Sequence, residues 1–233
     1  QSGLAALAHE LVDRLDAELA AGHEVDLVRD FTARFPYLVI SRLLGLPRER
    51  EDDFHAWAIG LLTLRENPQR ALEARKALSE YVVGILEARR RQPQNDVISE
   101  LLAAEVDGRR LGDEEILSHV RLLFPTGGET THGSLSNLLS ALFLNDGEWD
   151  ALVAAPQKIP AAVAEGLRYD TPIAVLPRLS NTMATRLRGI EIPADTWVLF
   201  AIAGANRDPA VVAEPDRFDV DRAQPPNLVF GRG

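Results

Sequence analysis

Five consecutive residues, Gly127-Gly128-Glu129-Thr130-Thr131, bring three kinds of chemistry into little more than one helical turn. The two glycines carry no Cβ, so another flat body can approach the backbone closely. A threonine hydroxyl beside a weakened helix can donate to something other than its own i−4 carbonyl. Glu129, next to it, is a carboxylate that can carry a proton. The plain alternative is a threonine-bearing kink with no chemistry. A second pattern is Glu165-x-x-Arg168, a carboxylate and a guanidinium on one helix face. On a surface such a pair is worth roughly a few tenths of a kcal/mol. Here Ala161, Ala162, Val163 and Leu167 surround it, so it is expected to be partly buried. A buried pair needs further partners, and Arg217 is the candidate third member. A third pattern, Pro177-Arg178, sets a single cation at a strand end, where it is either solvated or aimed at an anion.

These residues must be positioned by helices first and a small sheet last. Leu4, Leu7, Leu11, Leu15 and Leu19 fall at helical spacing, and Gly22 follows as a stop. Further helices are expected over Phe31–Leu44, over Pro47–Leu64, and from the cap-and-start pair Asn67-Pro68 to Arg91. Short ones follow over Asp96–Glu105 and Asp146–Ala154, and Val106–Arg109 reads as a hairpin-like turn. Between them, apolar periodicity runs from the acidic start Gly112-Asp113-Glu114-Glu115 through Ile116, Val120 and Leu123 to Leu142 and Phe143. That spans roughly 50 Å of helix, about 113–145. Pro125, Gly127 and Gly128 in its middle give up roughly 5 kcal/mol of helix propensity. Pro125 also removes the usual donor to the Arg121 carbonyl. Spacing alone leaves open one long weakened helix or two helices joined by a loop. A helix over about 160–169 carries Glu165 and Arg168. Strands are expected at Ile173–Arg178, Leu187–Ile192 and Thr196–Phe200, with Pro193-Ala194-Asp195 as a hairpin turn. The fold class is therefore mainly α, with a small antiparallel β region near the C-terminal end, about 173–200.

Composition narrows the function. The 233 residues carry 25 basic and 35 acidic side chains, a formal charge of −10, which argues against a nucleic-acid binder. With 46% hydrophobic residues the chain is globular rather than disordered. There is no cysteine, so these residues hold no zinc–thiolate, iron–sulfur or disulfide site. The five histidines, His9, His23, His55, His119 and His132, form no helical zinc-protease pattern. The Gly-Gly-Glu stretch is no phosphate loop, because it lacks the lysine and its acid would repel phosphate. No apolar run reaches the ~18–20 residues of a membrane span, and no signal peptide precedes Leu4. The closing run Leu228-Val229-Phe230-Gly231-Arg232-Gly233 reads as an internal piece of a larger protein.

The order of the motifs is more specific than any one of them. Gly-Gly-Glu-Thr-Thr is followed by Glu165-Gly-Leu-Arg168-Tyr-Asp, Pro177-Arg178, Ala205-Asn-Arg-Asp-Pro209, Pro215-Asp-Arg-Phe218 and Phe230-Gly-Arg-Gly233. This series closely resembles the cytochrome P-450 family of haem-thiolate monooxygenases in its soluble bacterial form. The resemblance is specific from Ile116 onward; residues 1–110 share only helix pattern and phrases such as Leu43-Leu-Gly-Leu-Pro47.

The resemblance implies a single partial domain over 1–233, lacking the family's N-terminal part and its ligand loop. It implies haem b as cofactor, with Gly127, Thr130, Arg178, Phe230 and Gly231 binding it. Thr130 is implied to hydrogen-bond the oxygen species on the iron, Glu129 to relay protons, and Arg178 to pair with a propionate. Glu165, Arg168 and Arg217 are implied as a structural Glu-Arg-Arg cluster. Residues 230–233 are implied to open the haem loop. No metal ligand lies within the chain; the axial Cys is expected about four residues past Gly233. Thr126 stands where the family usually has Ala or Gly.

The activity implied is insertion of one atom of O2 into a small organic substrate. Electrons would come from a ferredoxin or flavodoxin-type partner with its NAD(P)H-dependent reductase, in the cytoplasm, with no nucleic acid or membrane involved. The rival reading is a non-catalytic or degenerate helical binding domain without haem.

Overall fold

The computed structural model describes residues 2–180, 183–223 and 227–231. The order is α1 Ser2–Ala20, α2 Phe35–Leu43, α3 Glu51–Leu62, α4 Pro68–Arg91, α5 Val97–Ala103, β1 Glu105–Val106, β2 Arg109–Arg110, α6 Asp113–Leu144, α7 Glu148–Ala154, α8 Ile159–Tyr169, β3 Val175–Leu179, β4 Thr185–Leu187, β5 Ile190–Ile192, β6 Trp197–Ala201 and α9 Ile202–Asn206. The chain divides into two compact units, 1–132 and 133–233.

The first unit is helical because its apolar residues recur at three and four. Leu78, Val82 and Leu86 of α4 and Ile116, Val120 and Phe124 of α6 each form a buried stripe. They close one core with Tyr37, Ile40, Leu44, Phe54 and Ile98. Phe54 takes edge contacts from Trp57 and Tyr81, with centroids 5.5 and 5.2 Å apart. Each such buried side chain contributes roughly 1.5–3 kcal/mol. Two caps fix the helix starts. Asn67 Oδ1 accepts from the Arg70 N–H at 3.0 Å, and Asp96 Oδ1 accepts from the Ser99 N–H at 2.8 Å. Asp107 and Gly108 both have positive φ, 51° and 73°, and make the tight β1–β2 hairpin.

The long apolar pattern forms one helix. α6 runs unbroken through Pro125. The alternative of a loop there fails because tertiary packing outweighs local propensity. Phe124, beside the proline, is fully buried. Two threonine hydroxyls also turn back onto the helix: Thr126 Oγ1 donates to the Leu122 carbonyl at 2.5 Å, and Thr130 Oγ1 to the Thr126 carbonyl at 2.7 Å.

In the second unit, Ala141, Leu142, Ala162, Phe218 and Val220 form the core. Gly166 lets α8 lie close to α6, since a Cβ there would come 2.8 Å from Leu138 Cδ1. The β region is antiparallel, but its pairing differs from the sequence reading. β4 and β5 form their own hairpin, turning on Arg188 and Gly189 at φ 48° and 84°. Two consecutive left-handed residues match the strand twist, which Pro193-Ala194-Asp195 cannot do. β6 instead pairs with β3, Val175 opposite Ala201 through Leu179 opposite Trp197.

Candidate functional site

The first unit supplies the distal stretch of α6. Leu122, Thr126 and Thr130 share one face at spacing four, and Leu122, Thr126 and Glu129 are exposed. One sequence expectation changes here. Thr130 Oγ1 donates to the Thr126 carbonyl, so the hydroxyl does face its own backbone. A weakened helix still offers that acceptor, because the i−4 carbonyl stays within reach of the hydroxyl. Gly127 and Gly128 are used for helix packing. A Cβ on Gly127 would come 2.7 Å from Ile40 Cδ1, and one on Gly128 2.2 Å from the Tyr37 ring. The protein side chains that approach these glycines come from α2.

The second unit gathers the other residues. A cleft of about 500 Å³ is lined by Leu176, Arg178, Phe200, Ile202, Phe230 and Gly231, among others. Arg178 sits on β3, and its Nη1 donates to the Pro177 carbonyl at 3.0 Å. Phe230 and Gly231 arrive from the far end of the chain through a turn. The Gly231 N–H donates to the Leu228 carbonyl at 2.9 Å, and Gly231 has φ 73°. Asn206, buried at the end of α9, anchors that turn: its Oδ1 accepts from the Leu228 N–H at 2.9 Å. Arg232 and Gly233 lie outside the described residues.

The second unit also holds a buried charge cluster. Arg168 makes a bidentate pair with Glu165, both bonds 2.8 Å, with side chains 2% and 4% exposed. The Arg168 guanidinium also donates to the carbonyls of Pro215 at 2.9 Å, Asn206 at 3.2 Å and Arg217 at 3.2 Å. The third cation is Arg222. Its Nε donates to Glu165 Oε1 at 3.1 Å with 11% of the side chain exposed. This corrects the assignment of Arg217, whose guanidinium is 63% exposed and reaches Glu214 at 3.4 Å. Arg217 contributes only a carbonyl to Arg168. A signal for this exists in the sequence. Phe218 and Val220 are buried at a period of two, so Arg222 continues their side while Arg217 falls on the other. Asn206 and Tyr37 were also missed, and neither carries a comparable local signal.

The described residues contain no helix long and apolar enough to cross a membrane.

Comparison with known proteins places this geometry. The family model described as Cytochrome P450 matches residues 158–230. The chain is 34% identical over 231 residues to cytochrome P450 107B1 of Saccharopolyspora erythraea, covering 99% of the chain and 57% of that protein. It is 34% identical over 239 residues to a steroid C26-monooxygenase of Mycobacterium tuberculosis, covering 100% of the chain and 63% of that protein. A Bacillus megaterium cytochrome P450 crystallised with testosterone superimposes with a TM-score of 0.89 at 29% identity, over 100% of this chain and 63% of the other. Folds of this helix-rich kind, with a small antiparallel region, are those of bacterial P450s. The chain belongs to the cytochrome P450 family, and it spans about three-fifths of the length of these relatives.

The family uses a haem iron cofactor. The second-unit cleft fits one side of such a group: its walls are mostly apolar, as a porphyrin face requires, and Arg178 supplies a cation for a carboxylate.

Proposed function

We propose that the full-length protein, of which this chain is one partial domain, is a haem-dependent monooxygenase. It inserts one oxygen atom into a small, largely apolar organic substrate. Haem would supply the activation of O2 and the redox chemistry. In the chain itself, Arg178 would hold an anionic edge of the group, and Leu176, Phe200 and Phe230 would cover its apolar surface. Gly231 would set the turn that leads into the ligand loop, and Glu165, Arg168 and Arg222 would keep that half rigid. Glu129 would hand a proton to the site, and Thr130 would position it by leaving the Thr126 carbonyl. Electrons would come from a ferredoxin or flavodoxin-type donor and an NAD(P)H reductase, in the cytoplasm.

The observation that carries this reading is the cleft itself. Arg178 stands more than fifty residues before the neighbours Phe230 and Gly231 in sequence, yet all three line one apolar hollow. The substrate class rests on the relatives, one named for steroid C26 oxidation and one crystallised with testosterone. A non-catalytic domain is the weaker reading, since the similarity to named monooxygenases runs the length of the chain.

The test is the reduced carbon monoxide difference spectrum of the full-length protein, joined to Thr130→Ala. A thiolate-haem band is the expected result. The variant should keep haem content and substrate binding, continue to consume NAD(P)H, and release most of the electrons as hydrogen peroxide. Thr131→Ala is the control, since the next helix position points about 100° away. Uncoupling by Thr131→Ala and not by Thr130→Ala would shift the assignment by one residue.

A further inference from the structure

Between α2 and α3 lies a polar cavity of about 20 Å³, lined by Arg34, Tyr37, Ser41, Glu51, Asp52 and His55. A water needs roughly 10–15 Å³ and two to four polar partners, so the cavity suits a single one. Tyr37 and His55 meet at its wall edge to face, centroids 4.9 Å apart. Tyr37 is 3% exposed, and its hydroxyl has no hydrogen-bond partner among the described residues. Leaving such a group unsatisfied costs roughly 1–3 kcal/mol, and a water in the adjoining cavity would relieve that cost. The Tyr37 ring also lies against the backbone of Gly128, the residue before Glu129.

The electrostatics join the same groups. Burial, helped by the charge of Glu129, pushes the Tyr37 phenol up to about 12, so it stays protonated throughout the physiological range. Burial lowers His55, with Arg34 and His132 acting in the same direction, while Asp52 and Glu129 pull it back up. At the outer end Arg34 donates to Asp52 at 3.4 Å, and the Asp52 side chain is 92% exposed.

We propose that His55, one water in this cavity and Tyr37 form a proton feed to Glu129. His55 takes a proton from solvent on its Asp52 side and passes it to the water. Tyr37 accepts one proton and gives up its own, and the Glu129 carboxylate receives it. Only N–H and O–H bonds form and break. Each carrier returns to its starting state when the next proton enters, and no oxidant or reductant is consumed. The proposal rests on the monooxygenase reading, and it makes Tyr37 and His55 proton carriers acting through Glu129.

Two measurements on the full-length holoenzyme test it. Tyr37→Phe keeps the ring on Gly128 and removes only the hydroxyl. NAD(P)H consumption should fall roughly tenfold, less than the ~100-fold or more of a whole proton-transfer step because bulk water offers a parallel route. The solvent deuterium isotope effect should rise, with haem content and substrate affinity unchanged. Separately, histidine-selective ¹⁵N NMR of the diamagnetic ferrous carbon monoxide form follows His55, assigned by its loss in His55→Gln. Glu129→Gln should lower the His55 titration midpoint. An unchanged rate and isotope effect in Tyr37→Phe, or a His55 midpoint indifferent to Glu129→Gln, would each overturn the feed. A wild-type holoenzyme that turns over no oxygen would sink the monooxygenase reading instead, and the His55 titration would then decide the coupling alone.

Discussion

Glu165 accepts four hydrogen bonds inside the protein: two from Arg168, one from the Asp219 N–H at 3.0 Å and one from Arg222. A buried carboxylate is tolerated only when its lone pairs are filled in this way. The Asp219 and Arg222 donors come from outside the helix, so one acid ties α8 to the segment around Phe218 and Val220. Arg222 also donates to the carbonyls of Glu214 at 3.0 Å and Arg217 at 2.8 Å. Removing it therefore strips a cation from a buried acid and takes one of two donors from each of these carbonyls, which keep the Arg217 N–H and Arg168 respectively. Arg222→Ala should cost about 3 kcal/mol, the lower end for breaking a buried pair because Arg168 remains. Arg217→Ala should change stability by no more than about 0.5 kcal/mol, as for an exposed site. Urea unfolding of the full-length protein separates the two. Equal losses, or a larger loss in Arg217→Ala, would restore Arg217 to the cluster.

α4 and α5 are held together by a smaller version of the same device. Arg89 donates to Asp96 Oδ2 at 2.6 Å and to the Gly45 carbonyl at 2.8 Å, while Asp96 caps α5. Burial raises the Asp96 carboxyl, but the Arg89 bond and the Ser99 donors outweigh it, so it lies below its ordinary 3.8. The unfolded chain then binds the proton more readily than the folded one. The stabilisation is complete above a pH of about 3.8 and is lost as pH falls through the lower folded value. Asp96→Asn keeps a good cap but loses the charge opposite Arg89, and should cost about 3 kcal/mol at neutral pH. The gap between wild type and variant should narrow once the pH drops below that range, measured as urea midpoints. A gap independent of pH would mean that shape, not charge, holds the junction. Elements of this kind were the legible part of the sequence. Asn67-Pro68 and the acidic start of α6 announce themselves through local chemistry, and the stripes Leu78–Val82–Leu86 and Ile116–Val120–Phe124 through period. Strand pairing was not legible, because the partner of Trp197–Ala201 lies across the β4–β5 hairpin and no local signal reaches that far. Nor was the use of Gly127 and Gly128, because what approaches a glycine is decided by another helix.

At the scale of the whole chain, each unit has its own core. In the second unit the cleft residues Phe230 and Phe200 are 88% and 52% exposed, and Trp197 and Leu199, elsewhere on β6, are each 67% exposed. A two-stranded ribbon such as β3–β6 is marginal unless its apolar side chains are covered. The 233 residues also contain no cysteine to ligate iron. Haemin added to this chain alone should therefore bind weakly and without a thiolate signature. A sharp Soret band with sub-micromolar affinity would contradict this and point to one of the five histidines as a substitute ligand. The motif order in the sequence was enough to read the family and the cofactor. The substrate was not readable, because the side chains that would select it are not marked by any motif.

The contact between Tyr37 and Gly128 has a consequence for how this protein can change. Volume missing from one helix is supplied by the other, with 2.2 Å left where a methyl group would need to stand. Neither position is therefore free to change its volume first. A larger residue at 128 collides with the ring, and a smaller one at 37 leaves a void against α6, costing roughly 3–5 kcal/mol for loss of a buried aromatic side chain. Acceptable sequences at the two sites are joined by a double step, a case of reciprocal epistasis. Saturation of either codon alone would pass over them, and a library that varies both together is the one in which alternative distal grooves will be found.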